Sequence, residues 1–259
     1  MLDFLKSKPK TARPIFAPLV TDMHCHLLPR VDDGSKSEDE TITCLKVLKA
    51  AGFENSIFTP HYQIPRFPNE EQDIKNRFAD LKLDIASHGN YEGTNLVGIA
   101  GEYRLDTGFN DRIENSKFLL VGGRFVLVEF SLHQQVIGLD EVLFNLQMKN
   151  YEIILAHPER YPYYSSSSHV LSHFKDMGIN FQINILSLSG FYGEGPRRKA
   201  FEMIDNGWVE YLGTDMHNTL YAQALIDATR DRKIEKLMEK HTFMNSKLLN
   251  PEETATKKF

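Results

Sequence analysis

The strongest constraint on this chain is an alternation. Short runs rich in β-branched and aromatic residues take turns with stretches of helical character. The runs are LVTDMHC, NSIFTP, NLVGIAGEYRL, RFVLVEF, YEIILAH, NFQINI and VEYLGTD. The helical stretches are KSEDETITCLKVLKAAG, with an acidic first turn and a glycine stop, NEEQDIKNRFADLKLDIASHG, LDEVLFNLQMKN, SHVLSHFKDMG, GPRRKAFEMIDNG and a long C-terminal TLYAQALIDATRDRKIEKLMEKH. Strand followed by helix, repeated about seven times, calls for parallel strands joined by right-handed crossovers. We expect a single α/β domain, a (β/α) barrel distorted or short of eight units, with a doubly wound open sheet as the alternative. Either architecture puts its active site at the carboxyl ends of the strands. No fixed-period repeat or long Gly/Ser linker interrupts the pattern, and YPYYSSSSHV reads as a loop.

Composition narrows the function classes. The chain has 259 residues, 41% of them hydrophobic, ample for a large core. A net charge of -5 without a basic stripe points away from nucleic acid as a partner. Cys25 and Cys44 are the two cysteines, and no charged leader precedes an apolar segment, so a disulfide framework and secretion are not expected. A cytoplasmic protein is the expectation. No apolar run approaches the ~18 residues of a membrane span, and the Leu2, Phe4 and Leu5 interleaved with lysines read as a frayed tail.

Nearly every expected strand ends in a residue type that binds metals. The first ends in His24 and His26, whose spacing of two puts both imidazoles on one face and turns Cys25 into the core. Asp32 and Asp33 lie in the loop beyond. The next strands end at His61, Glu102, Glu129 and His157, the last with Arg160 close behind; the seventh ends at Asp215 and His217, again two apart. Any one of these is ordinary as a turn residue, a helix cap or a satisfied structural histidine. Their joint placement is not. Imidazole and carboxylate without thiolate suit Mn, Fe or Zn in an open site better than a closed structural zinc site. About nine such groups on one rim would repel one another unless two or three cations sat among them. His88, His133, His169, His173 and His241 lack that placement and read as surface or structural residues.

In this order and at these separations, DMHCHLLPRVDDGSKS, TPH, GEYRL, VEFS, AHPERY and GTDMHN resemble the PHP-family (polymerase and histidinol phosphatase) bacterial protein-tyrosine phosphatases of capsule and exopolysaccharide operons. The resemblance covers residues 19–259 and leaves 1–18 as an N-terminal tail. It implies a distorted (β/α)7 TIM-like barrel with a trinuclear centre, Mn first, Fe or Zn otherwise. It implies that His24, His26, Glu102 and Asp215 hold one metal, that Glu102, Glu129 and His157 hold a second, and that Asp33, His61 and His217 hold a third. Arg160 would clamp phosphate and, with Asp215, carry the catalytic assignment. The implied partner is a tyrosine-phosphorylated kinase of the capsule system. One departure is visible: many relatives carry an arginine a few residues after DMHN, where this chain reads DMHNTLYAQAL, leaving Arg66, Arg197 or Arg198 as substitutes.

A metal cluster suits hydrolysis of phosphate monoesters, because it lowers the pKa of a bridging water and stabilises oxygens that gain charge in an in-line displacement. A tyrosyl leaving group, with a phenol pKa of ~10, needs little help from a general acid. Neither cysteine sits in a Cys-x5-Arg loop, which removes the thiolate mechanism. The alternatives are a small-molecule phosphatase of the histidinol-phosphate kind, another metallohydrolase of similar fold, or a non-enzymatic regulator that uses metals structurally.

Overall fold

The computed structural model describes residues 11–249 apart from 88, 90, 107, 116, 136 and 165–167. The first ten residues of the expected tail, His88 and most of the serine patch lie outside the described residues. In chain order the elements are β1 (Thr21–Asp22), α1 (Glu38–Ala51), β2 (Asn55–Phe58), β3 (His61–Tyr62), α2 (Glu71–Ser87), β4 (Asn95–Ile99), β5 (Glu102–Arg104), α3 (Phe109–Asn115), β6 (Phe125–Glu129), α4 (Leu139–Met148), β7 (Glu152–Ala156), α5 (Ser168–Asp176), β8 (Asn180–Asn184), α6 (Ile185–Leu188), α7 (Glu194–Asp205), β9 (Tyr211–Gly213), α8 (Thr219–Ala228) and α9 (Arg232–Lys240). Among the described residues no helix is long and apolar enough to cross a membrane.

Every strand pairing is parallel, in two sheets ordered β1-β2-β4 and β3-β5-β6-β7-β8-β9. The chain breaks its strands at two places: Pro60, the end of the expected NSIFTP, has no N–H for a ladder and separates β2 from a further strand β3, and Ala100–Gly101 splits the expected NLVGIAGEYRL into β4 and β5. At each break the chain leaves the first sheet and enters the second. The circuit returns to its start through an isolated Cys25–Met216 bridge, with the Asp215 N–H donating to the His24 carbonyl at 2.8 Å and the His26 N–H to the Met216 carbonyl at 2.8 Å. Seven β/α units in sequence order form the distorted (β/α)7 arrangement.

Alternation along β6 shows how the layers divide. Phe125 and Leu127 join a small inner cluster with Met23, Ile154 and Tyr211, whereas Val126, Val128 and Phe130 pack outward in the large core under the helices. Glu129 continues the inward parity at the carboxyl end of the strand. Cys25 is fully buried in the large core, as the spacing of His24 and His26 on either side of it predicts.

The helices begin where the sequence provides caps. The Ser37 hydroxyl accepts from the Glu40 N–H at 3.2 Å above an acidic first turn, and Gly52 closes α1 at φ 112°. The C-terminal stretch expected as one helix divides into α8 and α9. Asp231 is the cause, since its carboxylate accepts from the Lys233 N–H at 2.7 Å and starts a new helix instead of continuing the old one. The short helices α3 and α6 had no counterpart among the expected elements.

Two buried polar residues pin the last strand to the first. The Asn245 side chain donates to the carbonyls of Thr21 and Leu212, at 3.0 and 2.6 Å. The Asp22 carboxylate accepts from the Thr214 N–H at 3.0 Å and the Thr214 hydroxyl at 2.6 Å. Burial pushes Asp22 up to about 6, against the Thr214 bonds and His24, which favour its ionised form. Because that lies above the ~3.9 of an unfolded aspartate, the folded chain holds this proton longer. This group's contribution to stability therefore falls as pH rises from about 4 through 6. We expect Thr214→Val to destabilise the metal-free protein by about 1–3 kcal/mol. The loss should be larger near pH 7 than near pH 5, where a protonated Asp22 needs the donor less; urea unfolding at the two pH values measures both, and an equal or smaller loss near pH 7 would contradict this account.

Candidate metal centre

The site is built on the carboxyl ends of the strands, and its histidines are aimed from behind. His24 Nδ1 donates to the Gln182 side-chain oxygen at 2.7 Å and His26 Nδ1 donates to Asp32 Oδ2 at 2.8 Å. Both accepting atoms take a hydrogen, so each ring carries one on Nδ1 and turns its Nε2 into the site. Asp32 is itself fixed, accepting from the N–H groups of Gly34 at 2.9 Å and His61 at 3.0 Å. Gly34 must be glycine, because a Cβ there would run into the carbonyl oxygen of His26. On the opposite wall, Gln182 donates to the Asn184 side chain at 2.9 Å, and Asn184 donates to Asp215 Oδ2 at 2.7 Å. One relay thus ties His24 to Asp215.

Two residues reach the site only through unusual backbone. His157 (φ 37°) and Asp215 (φ 53°) both adopt the left-handed conformation, which side chains other than glycine seldom take. In β7, Ile154 and Ala156 are the inward residues, so His157 in regular strand geometry would point out to the helices. The turn reverses it.

The structure brings together all nine residues singled out as ligands. Glu102 is the hub and has no solvent exposure. Its Oε1 lies 3.0 Å from His157 Nε2 and 3.3 Å from His24 Nε2; its Oε2 lies 3.2 Å from His26 Nε2 and 3.0 Å from His61 Nδ1. Asp215 Oδ1 sits 3.5 Å from His24 Nε2, 3.3 Å from His26 Nε2 and 3.5 Å from His217 Nδ1. Glu129 Oε1 is 3.3 Å from His61 Nδ1, and Asp33 Oδ1 is 3.4 Å from His61 Nε2 and 3.7 Å from His217 Nε2. These contacts resolve into overlapping groups able to hold a cation: His24, His26 and Asp215; His24, Glu102 and His157; His61, Glu102 and Glu129; His26, His61 and His217.

Charge in the cluster is internally balanced. Burial opposes ionisation of Glu102, yet His24, His61 and a hydrogen bond from His157 hold it well below the usual carboxylate range. Burial also opposes protonation of His61, as does the neighbouring His26, but Glu102 and Glu129 outweigh both and push it up to about 10. His217 goes the other way, lowered by burial and by His26 against Asp215. His61 Nδ1 and Glu102 Oε2 are buried, 3.0 Å apart, and yet neither has a hydrogen-bond partner. Both atoms become electron-pair donors to a divalent cation once it displaces the imidazole proton, and the oxygen and nitrogen donor set around them fits Mn, Fe or Zn.

A cavity of about 280 Å³ opens over the cluster, lined among others by Arg66, Arg104, Arg160 and Tyr221. Arg160 donates to Asp215 Oδ2 at 3.0 Å and lies over the Tyr192 ring, 4.1 Å from its centroid. Of the three arginines considered as substitutes after DMHN, Arg66 lines the cavity; Arg197 and Arg198 do not, and Arg197 is held by Glu194 and Asp231. Burial pushes the thiols of Cys25 and Cys44 up, the second to about 12, so neither is a nucleophile. The sequence alone gives Asp32 no role beyond its place in the loop and does not single out Gln182, Asn184, Arg104 or Tyr221. For three of them a signal existed: Gln182 and Asn184 alternate with apolar residues in NFQINI, and Arg104 follows Glu102 by two.

Comparison with known proteins agrees with the geometry. Residues 20–255 match the family described as Capsular polysaccharide synthesis, CpsB/CapC. The chain is 28% identical over 222 residues to the putative tyrosine-protein phosphatase CapC of Staphylococcus aureus, covering 85% of this chain and 86% of that one. It is 28% identical over 203 residues to the tyrosine-protein phosphatase CpsB of Streptococcus pneumoniae, covering 76% and 82%. Among solved structures it superposes with a TM-score of 0.76 at 21% identity on a chain from the work on YwqE of Bacillus subtilis and CpsB of Streptococcus pneumoniae, described as unique metal-dependent tyrosine phosphatases, covering 88% of this chain and 94% of that one. That likeness is one of fold. With the match running through nearly all of its strands and helices, the chain belongs to the CpsB/CapC family of capsular polysaccharide synthesis.

Proposed function

We propose that this chain is a metal-dependent tyrosine phosphatase whose substrate is a tyrosine-phosphorylated kinase of capsule assembly. The observation that carries the reading is the Glu102 hub, a buried carboxylate within 3.3 Å of four imidazoles, under a cavity that holds arginines. We assign two or three divalent ions to it, Mn in preference to Fe or Zn. His24, His26, Glu102 and Asp215 are the proposed ligands of one; Glu102, Glu129 and His157 of a second; Asp33, His61 and His217 of a third. Bound there, such ions supply Lewis acidity that lowers the pKa of water and offsets charge building on the phosphoryl oxygens. Arg160 presents a planar fork to two of those oxygens, oriented by Asp215 on one side and by stacking on Tyr192 on the other. The buried side chains at the floor of the cavity, Glu102, Glu129, His157 and Asp215, keep the reacting groups fixed. Two buried cysteines with no disulfide are in keeping with a cytoplasmic setting.

Three outcomes test this reading. Purified protein should hydrolyse a phosphotyrosine peptide faster than histidinol phosphate, lose that activity on chelation and regain it with Mn; full turnover by metal-free protein would remove the mechanism. Asp32→Asn deletes no proposed ligand but replaces the anionic acceptor behind His26. It should weaken metal affinity by roughly ten- to a hundredfold, and isothermal titration showing unchanged affinity would strip Asp32 of its positioning role. Arg160→Lys should keep fold and metal content and lower kcat/KM on phosphotyrosine by about ten- to a thousandfold, ~1.4 to 4 kcal/mol. Wild-type kinetics in a metal-replete Arg160→Lys protein would return that residue to the role of a loop arginine.

A further inference from the structure

Arg160 stands on one side of the cavity, beside Asp215. The other side also holds a guanidinium. Arg104 ends β5 two residues after Glu102, so strand alternation turns it toward the same rim as the hub carboxylate. Its cross-strand neighbour is Glu129, and its NH1 donates to Glu129 Oε1 at 3.3 Å. The side chain is 17% exposed, against 61% for Arg66 on the same cavity, so its charge is far less screened by solvent.

We propose that Arg104 is a second phosphate-gripping residue, closing on the phosphoryl group from the Glu129 side while Arg160 closes from the Asp215 side. A counter-ion role toward Glu129 is not enough to explain it, because the same Glu129 oxygen already lies 3.3 Å from His61. Among the described residues, the one hydrogen bond of its side chain is to Glu129, and a guanidinium has five N–H donors in a planar fork. Further donors are therefore free for an anion in the cavity. Arg104 also lines an adjoining cavity of about 620 Å³, with Gln63 shared between the two. It thus stands at the passage between the space over the cluster and a larger space walled mainly by amide, hydroxyl and apolar side chains. A phosphorylated side chain lying across that passage would present its phosphate to Arg104 and Arg160 together.

The inference rests on the phosphatase reading for the identity of the anion, so the test uses inorganic phosphate as the probe and reads binding as well as turnover. Phosphate is titrated calorimetrically into Mn-loaded wild-type, Arg104→Gln and Arg104→Lys proteins, and metal content is measured in each. Arg104→Gln should weaken phosphate binding by about ten- to a hundredfold at unchanged metal content, the span of one or two hydrogen bonds to a charged group. Arg104→Lys should recover part of the loss, and kcat/KM on a phosphotyrosine peptide should fall in step. Phosphate affinity within twofold of wild type in Arg104→Gln overturns the proposal, as does a loss explained by metal release, which would make Arg104 a counter-ion of Glu129. If Arg104→Gln does not fold, Arg104→Lys decides: a severalfold loss supports the fork, wild-type affinity overturns it. Wild-type protein that binds phosphate but leaves phosphotyrosine intact, with Arg104→Gln still weakened, would retire the tyrosine-phosphatase reading and leave Arg104 in place; wild-type protein that binds no phosphate overturns both.

Discussion

A carboxylate with no access to water has to find its compensation inside the protein, and Glu102 finds it in four imidazoles, all within 3.3 Å. Isolated burial of such a charge costs several kcal/mol or more even after relaxation, so the cluster is stable only while all its members are in place. Those members come from the first, second, third and fifth β/α units, and no local segment could deliver them. The barrel-like circuit is therefore a precondition of the site. The dependence also runs backward: the Asp22–Thr214 and Asn245 pins, which join the last strand to the first, hold Asp215 and His24 within reach of each other. Behind the clustered side chains, the Gln182–Asn184 relay and Asp32 satisfy the atoms that face away from the centre. A polar network of this kind is rigid because each member, left unpaired, would carry a desolvation penalty.

Regular strands alone would not produce this convergence. Breaks at Pro60 and at Ala100–Gly101 let two units change sheets, so that His61 and Glu102 pair as register neighbours in the second sheet. The left-handed turns at His157 and Asp215 redirect side chains whose strand parity or backbone path would otherwise miss the centre. Such turns persist where the surroundings over-determine them. Here the Arg160 and Asn184 bonds to Asp215, and the His157 N–H bond to the Gln182 carbonyl at 2.7 Å, are those surroundings.

Much of this was legible in the sequence because the governing patterns are local. Strand–helix alternation fixes parallel pairing, and a spacing of two assigns His24, Cys25 and His26 to opposite faces without knowledge of the fold. What stayed hidden depends on neighbours far along the chain. Gln182 and Asn184 carry no metal-type signature, and their role exists only because β8 lies beside β7 and β9. Arg104 gains its meaning from Glu129, 25 residues away. The division of the C-terminal stretch into α8 and α9 was missed for a different reason: the periodic apolar residues on both sides of Asp231 outweighed a single capping residue.

The same commitments bear on which phosphate esters suit the site. His24, His26 and His217 donate their Nδ1 hydrogens to fixed acceptors, the last to the Asp215 carbonyl at 2.8 Å. Protons spent on orienting the rings are not at hand for a departing oxygen. With these protons committed, and that of His61 displaced once a cation takes its nitrogen, the site favours leaving groups that depart as stable anions. A phenolate, with a conjugate-acid pKa of ~10, meets that condition far better than an alkoxide whose conjugate acid is closer to water at ~15.7. The architecture that turns the histidine Nε2 atoms inward thereby tilts the chemistry toward aryl phosphates, and phosphotyrosine is the aryl phosphate that proteins carry.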